Sequence, residues 1–187
     1  MAKASSAASI PETCAPDAAP ASNASSMTAA ERRVYSRMAD TMSYYHNHFK
    51  STWKTLYTAC EKNKRPAGMS IKQYLNTACE FVHHLEMHHS IEERHIFPLL
   101  AQRMPVFQRE MELLEQHKRI HKGIDALEKY VNACKAGERE LRLEEMKDVL
   151  DGFREVLWQH LDEEVRNLGA DNMKKYWTIQ EMERMPM

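Results

Sequence analysis

The chain has few breaks. Its 187 residues include only 5 glycines and 7 prolines. That is too few for the tight turns of a strand-rich fold, and long helical patterns run between them. Thr28 and Glu31 make a capping-box pair that opens a helix predicted to run to about Glu61. Its apolar stripe is Met42, Tyr45, Phe49, Trp53, Leu56 and Cys60, at steps of three and four. After the break at Asn63-Lys64-Arg65-Pro66-Ala67-Gly68, Ser70 and Gln73 repeat the capping signature. They open a second helix with the stripe Leu75, Ala78, Val82, Leu85, Ile96 and Leu99. Pro98 is predicted to kink its last turn, and Pro105 lies past its end near residue 103. A third helix is predicted from about Val106 to Ala136, stopped by Gly137, and a fourth from about Leu141 to Leu168, stopped by Gly169. Asp171 is expected to cap one more short helix. Long helices on short links predict an all-α, up-down-up-down antiparallel four-helix bundle over residues 28–169, with a short C-terminal helix or tail over 170–187.

Residues 1–27 are rich in Ala, Ser and Pro and have too little apolar surface to offset the entropy of ordering, which predicts a disordered tail. The tail has no apolar core of a leader and carries Glu12 and Asp17, which argues against a secretory or mitochondrial signal. A formal net charge of -1 gives no basic field for nucleic acid, and no stretch is apolar enough to span a bilayer. Cys14, Cys60, Cys79 and Cys134 show no C-x-x-C spacing. They are expected to be reduced thiols, and the protein cytoplasmic.

Histidine is the unusual residue, with 10 in the chain, most of them clustered. His88 and Glu92, His117 and His121, and His160 and Glu164 are each four residues apart, on the second, third and fourth predicted helices. That spacing sets both members of a pair on one helix face. Glu92 and His88 precede the helix end near 103 by about 11 and 15 residues, and His117 and His121 follow the next helix start by about the same. His117 and His160 are each about 19 residues from the turn between their helices. His46 and His88 are about 15 and 18 residues from theirs. At ~1.5 Å per residue, all these side chains fall within about two turns of one level. On the first helix His46 is preferred to His48, because it sits beside the apolar stripe. On the second, phase alone also permits His89 with Glu93, and His84 could support the site one turn away. Glu93 and Glu163 are read as solvated partners able to substitute as carboxylate ligands. Five imidazoles and two carboxylates exceed the needs of one tetrahedral zinc. They suit two ions of higher coordination number, with iron or manganese favoured by N/O ligation without thiolate.

The stretch His88-His89-Ser90-Ile91-Glu92-Glu93-Arg94-His95-Ile96-Phe97-Pro98 resembles the H-x-x-x-E-E-x-x-[LI]-F-P segment of the hemerythrin-like, or HHE cation-binding, family. His117-x-x-x-His121, His160-x-x-x-Glu164, and His46 with Phe49, Trp53 and Leu56 are similar to its other helix motifs, over roughly residues 35–168. The resemblance implies a non-haem centre of two iron ions. His117, His121 and His160 would hold one ion, His46 and His88 the other, and Glu92 and Glu164 would bridge them, leaving room for an exogenous ligand. Oxygen carriers of the family place an aspartate five residues after the last histidine, where this chain has Val165. The carboxylate at the fourth position is similar to the broader family, whose roles include sensing, iron handling and nitrosative stress.

The function expected from the resemblance is binding of O₂, NO or iron for sensing, storage or detoxification; charge and hydropathy predict no nucleic acid or membrane partner. A di-iron oxidoreductase acting on O₂, peroxide or NO is the second reading, and an iron- or oxygen-responsive interaction module the third. Histidine-rich coordination favours binding, since ferritin-like oxidases rely on carboxylates contributed by all four helices.

Overall fold

A computed structural model describes residues 27–108 and 112–186. The elements are α1 (Ala29–Glu61), α2 (Ile71–Ile91), a π-helical turn (Glu92–Ile96), α3 (Phe97–Leu100), a 3-10 turn (Pro105–Phe107), α4 (Glu112–Ala136), α5 (Leu143–Asn167), α6 (Ala170–Tyr176) and α7 (Ile179–Arg184). Among the described residues there is no strand, and no helix is long and apolar enough to cross a membrane. The tail expected over residues 1–27 lies, Met27 apart, outside the described residues, as does Cys14.

Both anticipated capping boxes form. The Thr28 N–H donates to Glu31 Oε2 at 2.7 Å while the Glu31 N–H donates to Thr28 Oγ1 at 3.2 Å, and Ser70 and Gln73 make the same pair of bonds at 2.8 and 3.2 Å. Gly137 ends α4 in the left-handed region, φ 76°, where a side chain would be strained. Gly169 does not stop α5 in that way. Its φ is -61°, and it is the N-cap of α6, while Leu168 closes α5 by donating to the Glu164 carbonyl at 3.0 Å. Asp171 sits in the first turn of α6 rather than at its cap, 3.3 Å from Arg32.

The second helix differs from its expected phase. Leu85, His89 and Glu92 are buried, and a continued α-helix would next bury Ile96 and Leu99. Instead Phe97 and Leu100 are buried and Ile96 and Leu99 only partly so. The π turn is the cause: the Phe97 N–H bonds to the Glu92 carbonyl, so one extra residue separates two side chains on the same face. Pro98 follows in the first turn of α3, where its missing N–H is tolerated. The predicted start of the third helix at Val106 is also replaced. A 3-10 turn lies there, and α4 begins at Glu112.

The core is in two parts. One cluster joins Phe49 to Cys60 of α1 with Tyr74 to Leu85, Ile120 to Val131 and Leu143 to Leu161. The other joins Tyr35, Met38 and Met42 with Phe97, Leu100, Met104, Leu113 and Leu168, and is closed by Met173, Trp177, Met182 and Met185 of the C-terminal segment. That segment is folded onto the bundle end. Tyr35 Oη donates to the Trp177 carbonyl at 3.0 Å, and Thr178 with Glu181 makes a third capping box. Where α4 meets α5, Gly123 lets Phe153 approach so closely that an added Cβ would lie 2.2 Å from the ring.

Candidate metal centre

Between the two apolar clusters lies one polar layer. His46 comes between Met42 and Phe49, His89 and Glu92 between Leu85 and Phe97, His117 between Leu113 and Ile120, and Glu164 between Leu161 and Leu168. His46, His89, Glu92, His117, His160 and Glu164 are each at most 1% exposed, and His88 is nearly buried beside them. Helical spacing produces the layer, since each helix turns one or more polar positions onto its apolar face at the same depth.

The side chains form two groups that share one member. The ligand-type atoms of His89, Glu92, His117 and His160 lie within 4.8 Å of one another, as do those of His46, His88, Glu92 and Glu164. Glu92 belongs to both. His117 Nε2 lies 3.2 Å from His160 Nε2, His88 Nε2 3.3 Å from His46 Nε2, and Glu164 Oε2 is 3.3 Å from His46 Nε2 and 3.6 Å from His160 Nε2.

Two tautomers follow from the outer partners. The His46 Nδ1–H donates to the Leu161 carbonyl at 2.9 Å, and the His117 Nδ1–H donates to Glu93 Oε1 at 2.7 Å. Both acceptors require the proton on Nδ1, which leaves Nε2 of each ring bare and pointing inward. The bare His46 Nε2 faces Glu164 Oε2 at 3.3 Å, and the bare His117 Nε2 faces Glu92 Oε2 at 3.5 Å. Each inward nitrogen–carboxylate pair offers a place for one cation, a proton or a metal ion, between its two facing atoms.

Burial pushes His160 down to about 3 and His88 down to about 4, and lowers His117 and, well below the ordinary value, His89. These imidazoles are therefore neutral, the form that ligates metal. Burial and then the neighbouring Glu164 raise Glu92 well above the usual carboxylate range. Burial also works to raise Glu164, but His46, His160 and His88 around it hold it below its ordinary value. Both nitrogens of His89 and His160 Nδ1 are buried without a hydrogen-bond partner among the described residues, while Glu92 Oε1 lies 2.8 Å from His88 Nε2 and Glu164 Oε2 3.3 Å from His46 Nε2. Keeping both of these carboxylates ionised out of water would cost several kcal/mol each unless a cation compensated. The donor set and its unpartnered atoms fit metal.

Of the residues expected at the site, His46, His88, Glu92, His117, His160 and Glu164 lie in the two groups, and His121 lies in neither. The His121 ring is half-buried at the edge, 5.2 Å from the His89 ring and 6.4 Å from that of His117. His89 occupies the interior position instead, stacked on His117 at 3.9 Å and 17°. Its signal was in the sequence: its phase on α2 is nearer the apolar stripe than that of His88. The structure uses both neighbours, His88 toward α1 and His89 toward α4 and α5. His48 is exposed, as are His83, His84 and His95. Glu163 accepts from Gln116 at 2.6 Å and from Gln159 at 3.1 Å. Val165 turns to the second apolar cluster, leaving Glu164 as the inward carboxylate.

The pattern of the hemerythrin HHE cation binding domain matches residues 37–170. No curated protein and no solved structure matches the chain. The matched span begins within α1 and ends at the start of α6, and so contains every side chain of the polar layer. The chain belongs to the hemerythrin HHE cation-binding family.

Proposed function

We propose that the polar layer holds two iron ions and that the protein binds O₂, NO or iron itself for sensing, storage or detoxification. The observation that carries this reading is Glu92, a buried carboxylate common to two four-residue groups. One ion would be held by His89, Glu92, His117 and His160, with His121 as an adjacent candidate ligand, and the other by His46, His88, Glu92 and Glu164. Iron is favoured by mixed imidazole and carboxylate donors without thiolate. Among the described cysteines, Cys60 is in an apolar cluster, and Cys79 and Cys134 pack against it.

When bound, the pair would supply open coordination positions for a diatomic ligand and one-electron redox chemistry. The chain's own part is to present neutral imidazoles, to fix His46 and His117 through Leu161 and Glu93, and to exclude water with apolar clusters on both sides. The test is metal analysis of purified protein, with ultraviolet-visible spectra under argon, air and NO. Bound iron and a spectrum that responds to O₂ or NO are expected. Iron-free protein that takes up none on reconstitution would refute the reading. Turnover of O₂, peroxide or NO with a reductant would instead select the oxidoreductase reading.

A further inference from the structure

Among the described residues five large apolar side chains stand exposed, and four of them, Tyr44 at 73%, Tyr45 at 48%, Met87 at 49% and Ile91 at 49%, line one groove between α1 and α2. The fifth, Ile71, lies outside it. The groove encloses about 590 Å³, and its wall runs inward over Met42 and Phe49 to a floor that includes His88 and Glu92. Apolar side chains gathered on a surface mark a binding site more often than isolated ones do. The volume is in the usual range for small organic ligands, roughly 300–1,000 Å³.

We propose that this groove admits an aromatic small molecule bearing an oxygen donor, with its ring among Tyr44, Tyr45, Met87 and Ile91 and its oxygen toward Glu92 and His88. The lining selects the body of the ligand. Tyrosine and phenylalanine rings and methionine sulfur favour an aromatic partner, although Thr41, His48 and His84 also line the groove. The floor selects the head. Glu92 is 1% exposed, lines the groove, and sets Oε1 2.8 Å from His88 Nε2, so a phenolic O–H finds a carboxyl acceptor or, beside a bound ion, the phenol oxygen finds a cation. A diatomic ligand needs no groove of this size. The direction of the oxygen rests on the metal reading proposed above; capture of the ring does not.

The test uses the full chain loaded with zinc as a diamagnetic stand-in, metal content measured by mass spectrometry, and phenol as the probe in saturation-transfer NMR. Transfer to the phenol ring protons is expected, with weaker transfer to cyclohexanol. In the Met87→Gln, Ile91→Gln double variant phenol affinity should fall at least five-fold, while metal content and helical circular dichroism stay unchanged. Both positions are about half exposed, so the fold tolerates the change. A metal-loaded protein with no transfer overturns the groove proposal and leaves the metal reading intact. Phenol captured by protein that takes up no metal supports the groove and refutes the metal reading. Undiminished phenol binding by the double variant places the site elsewhere. A wild-type dimer in sedimentation that the double variant dissolves shows the groove to be a contact between copies, which also overturns the proposal.

Discussion

At the scale of single residues, the last helix separates two adjacent glutamates. Glu164 is wholly buried among His46, His88 and His160, while Glu163 is hydrogen-bonded to two glutamines on the outer side. Glu164→Ala should lose at least half of the bound metal, and Glu163→Ala should stay near wild type, as read by metal stoichiometry. Equal losses would mean that the inward carboxylate is misassigned. The same measurement separates two histidines. His89→Ala should lower metal content more than His121→Ala, because His89 is in the inner group and His121 at its edge. His89 shows where sequence reading stops short. Two consecutive residues on a helix point about 100° apart, and only the positions of α1, α4 and α5 around them reveal that both directions lead into one site.

At the scale of elements, the capping residues, the helix-ending Gly137 and most of the apolar stripes were legible, because capping boxes and three-to-four periodicity are local rules. The π turn was not. One inserted residue after Glu92 moves the burial from Ile96 and Leu99 to Phe97 and Leu100, and tertiary packing decides it. Tyr45 was read as core and is half exposed for a related reason, since His46 takes the inward direction. The contact of α4 with α5 gives a further prediction. Gly123→Ala would drive a Cβ to 2.2 Å from Phe153 and force the helices apart. A loss of about 1–3 kcal/mol is expected in chemical denaturation, against no change if the interface relaxes freely.

The C-terminal element adds a pH dependence. Glu181 is held down to about 2 by Arg103 and then by Thr178. A carboxylate depressed in the folded state contributes stability above its unfolded value near 4.5, and loses it as pH falls toward about 2. Glu181→Gln should therefore flatten the acid limb of the stability curve between those values. An unaltered acid limb would show that α7 does not depend on this pairing.

For the whole molecule, a metal held in the polar layer between the two apolar clusters would tie metal binding to folding. The bundle architecture and the common depth of the polar layer could be read from helix lengths and turn positions. The division of the core, and the closure of one end by Trp177, Met182 and Met185, required the folded chain. Removing metal should lower the melting temperature while leaving most helical circular dichroism, since binding free energy adds to folding free energy and the apolar clusters remain. Identical melting of chelated and loaded protein would argue against a site integral to the fold. The most direct test of the central claim is metal stoichiometry in wild type and in Glu92→Ala, because one side chain is assigned to both ions. Two irons per chain in wild type and fewer than one in the variant are expected. A single ion per chain in wild type, or two retained without Glu92, would contradict a shared two-metal centre.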